Sequence, residues 1–191
     1  MPWEKQFDIE AARQKAMVAF WTRGYENTSM QDLLDAMGIQ RGSFYDTFKS
    51  KHHALVEALL RYDFGRKEMF SKVGRGKSAR GIIEMFFKSV AGEAQSDDGR
   101  RGCLLVNCAL ELAPHDAEVA EIVNRAFDET RAFFQSTIER GQAAGEIAST
   151  IDAGKTAQAL LGLLLGMRVL ARAGANSAVN SIAGQAVALL E

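Results

Sequence analysis

Between Thr28 and Lys51 the chain reads TSMQDLLDAMGIQRGSFYDTFKSK, and the polar side chains of this stretch are spaced to meet a nucleic acid. Gln40 and Arg41 stand at the start of a short helical segment. Arginine can hold the two edge acceptors of guanine, and glutamine can pair with adenine. Gly42 lets a backbone come close. Tyr45 and Thr47 can donate to phosphate oxygens or touch thymine methyls. The Thr28 hydroxyl and Lys51 stand at helix starts, where phosphate oxygens are favoured. Asp46 breaks the pattern, because an acidic side chain repels phosphate. It can instead accept from a cytosine amino group, or pair with Lys49 and face away.

A second chemistry is thiol chemistry. In GRRGCLLVNC, Cys103 follows Arg100 and Arg101 near a helix start. Both features lower a thiol pKa, which makes Cys103 a candidate sensor of oxidants or electrophiles. The alternative is an inert cysteine that packs like a small hydrophobe, the reading taken for Cys108. Five residues apart on a helix, the two thiols point roughly 140° apart, a poor geometry for a disulfide.

Other chemistries find no support. His52 and His53 are adjacent and His115 is distant, a spacing unlike a zinc site. GRGKS lacks the spacing of a phosphate-binding loop, and no nucleophile elbow is present. No catalytic residue, metal ligand or cofactor is assigned, and the chain is not expected to be an enzyme.

The elements that must hold these residues are helices. The chain has 191 residues, 47% hydrophobic and 25% charged, an ordinary balance for a globular protein with a real core. Its only prolines are Pro2 and Pro114, and β-branched runs are scarce, so an all-α fold of about nine helices is expected. Apolar spacing places a first helix over about residues 8–23, ended by Gly24. A second begins at a capping box, either Thr28 with Gln31 or Ser29 with Asp32, carries Met30, Leu33, Leu34 and Met37 on one stripe, and closes at Gly38. A third runs over about 40–48 with Phe44 and Phe48 facing inward. Ser50 caps a fourth, over 51–72, with Leu55, Leu59, Tyr62 and Met69 as its buried stripe.

The basic link GRGKS then leads to a helix over about 79–95, and SDDGRRG is expected as a polar loop. A short apolar helix stopped by Pro114, a long one over about 116–144, an apolar one over 153–173 and a last one over 177–190 complete the chain. The net charge of −1 counts mildly against DNA, but a local basic patch suffices to neutralise phosphates. The N-terminus is too charged for a signal peptide. The longest apolar run, Ala159–Leu170, is interrupted by Arg168 and too short for a bilayer, so a cytoplasmic protein without membrane contact is expected.

A helix-turn-helix pattern alone is a weak signal, since many helical bundles contain one. Here more residues match. FWTRGYENTSM followed by QDLLDAMGIQRGSFYDTFKSKHHAL resembles the N-terminal domain of the tetracycline-repressor (TetR) family of transcription regulators. The matching pieces are Gly24 and Tyr25 after the first helix, Thr28 and Ser29 opening the second, and Ala36-Met37-Gly38-Ile39 before the third. Gly42-Ser43-Phe44-Tyr45-Asp46-Thr47-Phe48 and Lys51 complete the pattern; Asp46 departs from it.

The resemblance implies a three-helix DNA-binding domain over 1–50 and a helical effector-binding and dimerisation domain over 51–191. It implies DNA contacts from Gln40, Arg41, Gly42, Tyr45, Thr47 and Lys51, with Thr28 on a phosphate. It implies a ligand-released repressor acting as a homodimer on a palindromic duplex. The apolar AQALLGLLLGMRVLARA helix is the expected interface, through Leu160, Gly162, Leu163, Gly166 and Leu170. The middle helices would enclose a small-molecule effector, with Met85, Phe86, Cys103, Val106, Asn107, Phe127, Phe134 and Met167 as candidate lining. Their variety suits an apolar or amphipathic ligand, or an electrophile at Cys103. The competing class, a helical interaction protein or enzyme that ignores DNA, predicts no retention on DNA at low salt and a body that does not pair.

Overall fold

The computed structural model describes residues 7–72 and 77–191. The described residues form nine α-helices and no strand: α1 (Ile9–Arg23), α2 (Met30–Met37), α3 (Arg41–Phe48), α4 (Lys51–Lys72), α5 (Ala79–Ala94), α6 (Leu104–Glu111), α7 (Ala117–Ala143), α8 (Ala153–Arg172) and α9 (Asn176–Gln185). The chain is thus all-α, as its composition implies. Part of the GRGKS link lies outside the described residues.

Local chemistry sets the boundaries. The Asp8 carboxylate accepts from the Glu10 and Ala11 amides at the start of α1, and Gly24 ends it at φ 85°. Of the two boxes open at α2, Ser29 with Asp32 forms: the Asp32 amide donates to Ser29 Oγ at 3.1 Å, and Ser29 N donates back at 3.0 Å. Gly38 closes α2 in the left-handed region, its N–H on Leu34 O at 2.9 Å. Ser50 caps α4 through the His53 amide. Two segments differ from the sequence expectation. Asp97–Arg101, expected as a loop, winds into a 3-10 helix capped by Ser96. The last helix gives way after Gln185 to a 3-10 turn, Ala186–Leu190. Both are short pieces at helix ends, where the tighter winding commonly occurs.

Two hydrophobic cores form. The first joins α1–α3 to α4, α6 and the start of α7, with Phe20, Leu33, Phe44, Phe48, Leu55 and Leu59 against Leu104, Leu105, Val119 and Val123. The second fills the space among α5, α7, α8 and α9, with Phe86, Phe87, Phe134, Leu160, Leu164 and Met167. The buried cluster that holds the first three helices therefore extends well past residue 50. α4 runs alongside both cores and meets α7 through a charged cluster. Arg66 bonds Asp63 (2.6 Å), Glu129 (2.7 Å) and Thr130 (3.0 Å), and Lys67 bonds Asp63 (3.0 Å) and Glu129 (2.9 Å). Asp63 is buried, and each of its oxygens meets a cation, as a buried charge requires.

Candidate nucleic-acid interface and ligand cavity

α3 has one face in the core and one in water. Phe44 and Phe48 are fully buried and stacked, while Tyr45 is 44% exposed and stands edge-on to Phe44 at 5.4 Å. Gln40, Arg41, Gly42, Asp46 and Lys49 are exposed, and Thr47 is half-buried. A Cβ on Gly42 would meet no heavy atom within 4 Å, so the backbone there is open to close approach. The side chains expected to read a duplex therefore lie on one outward surface, backed by a rigid aromatic pair. Asp46 shares that surface. Lys51 stands at the start of α4 with its ammonium 4.2 Å from the Tyr25 ring centroid, a cation–π contact that holds it near the turn before α2.

Thr28 requires a correction. Its side chain is fully buried, and its hydroxyl donates to Gly24 O at 2.6 Å. It ties down the turn between α1 and α2 and is not available to a phosphate. Ser29, one residue on and exposed, opens the helix in its place.

Between the two cores lies a cavity of about 530 Å³, bounded by α1, α4, α5, α6, α7 and α8. Phe70, Phe86, Phe127, Val106 and Leu164 give it apolar walls. Phe70 stacks on Phe133 at 4.6 Å and Phe86 meets Phe134 edge-on at 5.3 Å, so these walls are firmly backed. Tyr62, Glu93, Cys103 and Arg168 also line it. The Arg168 guanidinium bonds Glu93 at 2.8 Å. Burial opposes the charge of Arg168, but neighbouring Cys103, Glu93 and Tyr62 outweigh it and leave its pKa raised. Burial, then Cys103, pushes the Tyr62 phenol well above its usual value. The thiol of Cys103 is half-buried, whereas that of Cys108 is buried and pushed up to about 12, chiefly by loss of solvent.

Of the expected lining, Phe86, Cys103, Val106 and Phe127 do face this cavity. Four residues do not. Phe134 and Met167 are fully buried in the second core. Asn107 turns its amide to Arg101 O at 2.9 Å, holding the 3-10 segment. Met85 lies on the other side of α5, in a shallow depression with Lys77 and Glu84. The lining residues missed include the polar Tyr62, Arg66, Glu93, Thr130 and Arg168 and the apolar Phe70, Leu161 and Leu164. One signal was legible, since Arg168 is the only charge in the apolar run Ala159–Leu170, and a buried charge is normally paired.

The outer surface of α8 carries Gly162, Leu163, Gly166, Val169 and Leu170, all exposed or half-buried in the single chain. A Cβ on Gly162 or Gly166 would meet no heavy atom within 4 Å. Leu160 is a correction: it is fully buried in the second core and cannot belong to an interface between chains. Among the described residues no helix is long and apolar enough to cross a membrane.

Comparison with known proteins agrees with this geometry at both ends of the chain. Residues 13–59 match the model of the bacterial regulatory proteins, tetR family. Residues 81–187 match a tetracyclin repressor-like C-terminal domain. The HTH-type transcriptional repressor ComR of Escherichia coli (strain K12) is 31% identical over 174 residues, 90% of this chain and 83% of that one. The HTH-type transcriptional repressor DhaR of Mycobacterium sp. (strain GP1) is 28% identical over 70% of this chain and 67% of its own. Among solved structures, a cysteine mutant of the TetR family transcriptional regulator CifR, complexed with a 26 bp double-strand operator DNA, superposes with a TM-score of 0.86. It is 29% identical and covers 97% of both chains. The chain belongs to the tetR family of bacterial regulatory proteins and is a DNA-binding transcriptional regulator.

Proposed function

We propose that this regulator is a repressor that grips a near-palindromic duplex as a homodimer and lets go when a small molecule enters the cavity. The observation that carries the reading is the outward face of α3, Gln40 to Thr47, backed by the buried Phe44–Phe48 pair. Gln40 and Arg41 are assigned to base edges; Gly42, Tyr45, Thr47 and Lys51 to backbone approach and phosphates. The surface of Gly162, Leu163, Gly166 and Leu170 is assigned to the second copy, because two half-sites about one or more duplex turns apart, ~34–36 Å each, need two α3 helices at a set distance. The division into a 1–50 DNA-binding part and a 51–191 effector part is functional. A cytoplasmic location is proposed with it.

The effector is apolar or amphipathic, matching aromatic walls with one hydrogen-bonding end. In the mechanism, the occupied cavity repacks α5–α8 and swings α4. The two α3 helices then no longer meet both half-sites, and affinity drops. The motivating feature is that α4 lines the cavity with Tyr62, Arg66 and Phe70 and carries α3 at its other end. A thiol-sensing version, with Cys103 taking an electrophile or oxidant, is favoured by its place on the cavity wall next to the Arg168 charge.

Selection from a random duplex pool tests the reading. A near-palindromic motif whose binding weakens with Arg41→Ala and Tyr45→Ala supports it. Binding indifferent to both changes, or no retention at low salt, favours the helical interaction protein or enzyme instead.

A further inference from the structure

One short helix joins the cavity wall to the DNA-binding helices. Cys103, the residue before the first turn of α6, and Leu105 and Val106 within it line the cavity. At the other end of α6 stands Glu111. Its two carboxylate oxygens accept the main-chain N–H groups of Tyr25 at 3.2 Å and Glu26 at 2.8 Å, in the turn between α1 and α2. Successive backbone amides aimed at one anion form a nest, and bonds to an ionised acceptor are stronger than neutral ones. The turn is shaped around this carboxylate: Gly24 has φ 85°, and a Cβ there would lie 3.0 Å from a Glu111 oxygen.

Glu111 does not serve its own helix. An anion in the last turn opposes the helix dipole. The other end of α6 is held by the same α1, since Trp21 Nε1 donates to the carbonyl of Gly102, one residue before Cys103, at 3.2 Å. α6 is therefore fastened to the end of α1 at two points, with the cavity behind it.

We propose that Glu111 is a positioning residue for operator binding, which fixes the turn leading into α2 and transmits displacement of the α6 wall of the cavity to that turn. The proposal rests on the ligand-responsive reading above and adds a second connection to the one made by α4. The magnitudes suit the task. Eight residues of α-helix span about 12 Å and move as one rigid piece. A shift of ~1 Å at Cys103 would arrive at Glu111 nearly whole, and lengthening an amide–carboxylate bond by that much breaks it.

The test uses the full chain, with iodoacetamide to add bulk at Cys103 and a Cys103→Ser chain treated identically as control. Amide hydrogen exchange is read at Tyr25 and Glu26, and affinity on a duplex selected with the unmodified protein. Alkylation is expected to speed exchange at both amides by about tenfold. Glu111→Ala should do so without alkylation, and Glu111→Gln, which keeps one acceptor oxygen, should restore protection at one amide. Glu111→Ala should weaken duplex binding by about tenfold, and alkylation of that variant should add much less than it does in the parent. A carboxylate that merely stabilised the fold would leave the two effects additive. Additivity, or exchange at Tyr25 and Glu26 unmoved by alkylation, overturns the proposal. The exchange measurement needs no DNA, so a failure to select any duplex would sink the DNA reading while the link from Cys103 through Glu111 to the turn is still decided.

Discussion

Phe44 lies stacked on Phe48 one helical turn away, ring centroids 5.3 Å apart and planes 27° from parallel. The pair nails one side of α3 into the first core and so dictates which side chains are left outside. Arg41, exposed at the start of α3, can be changed without touching the core. Arg41→Ala should weaken duplex binding by about 1–3 kcal/mol and relax preference at one base position, with thermal stability hardly moved. Phe44→Ala should instead cost about 3–5 kcal/mol of folding stability. Anisotropy titrations against the selected duplex, alongside urea unfolding, separate the two. An Arg41→Ala protein that binds as tightly as the parent would remove the assigned base contact.

Leu160 is fully buried in the second core, whereas Leu163 on the same helix is only half-buried against it. Leu163→Lys should split the proposed dimer, seen by sedimentation, and abolish tight binding to the full site while single half-site contacts persist. Leu160→Ala should leave association intact and lower folding stability by about 2–5 kcal/mol, because Leu160 is buried inside its own chain. A Leu163→Lys protein that still sediments as a dimer would move the interface elsewhere.

Lys49, between α3 and α4, is the one non-glycine residue among those described with positive φ, at 62°. The Ser50 amide reaches back to Phe48 O at 2.6 Å, closing a tight three-residue turn around it. A side chain in this region costs roughly 1–2 kcal/mol, which glycine avoids. Lys49→Gly should therefore raise the urea midpoint. A lower midpoint would mean that the Lys49 side chain contributes more to the fold than its backbone costs.

Three aspartates at helix starts contribute to the acid side of the stability curve. Asp32 is held below the usual carboxylate range by Ser29 and then Arg23, Asp116 by the Val119 amide and then His52, and Asp152 by the Lys155 amide and side chain. A depressed folded pKa adds stability that is present above the ordinary carboxylate value and is lost as pH falls through the depressed ones. The melting temperature should fall with acidification below that ordinary value. Asp152→Asn, which still caps but does not titrate, should flatten the fall. An identical acid profile for this variant would deny Asp152 a share.

The two thiols should differ in reactivity. Cys108 is pushed up to about 12 by burial, then by Glu111 and Cys103. It should stay unmodified when iodoacetamide labels Cys103 at pH 8, as peptide mass mapping would show. Its raised value also contributes stability that is complete below 9.0 and fades as pH climbs toward about 12. Labelling of Cys108 in the folded protein at the rate of Cys103 would contradict its burial.

Short-range chemistry made much of this protein legible in advance. Ser29 with Asp32, Gly24 and Gly38 mark the ends of α1 and α2 because caps act within one turn. Phe44 and Phe48 point the same way because helical spacing places them so, and the outward set Gln40, Arg41 and Tyr45 follows as their complement. The composition and the scarcity of breakers settled the all-α class. Only tertiary structure decided the rest. α8 is apolar on several sides, so spacing could not say that Leu160 and Met167 are fully buried in their own core while Leu163 and Gly166 keep part of their surface outside it. Phe134 and Met85 went astray for the same reason. A period shows that a stripe is buried, but not against what. Thr28 looked like a phosphate ligand until the turn folded back and gave its hydroxyl to Gly24. The polar side of the cavity gathers Tyr62, Glu93, Cys103 and Arg168 from α4, α5, the start of α6 and α8, and the nest for Glu111 comes from a turn 85 residues away. Such sites arise where packed helices happen to converge, and convergence is a property of the packing, carried by no local run of residues.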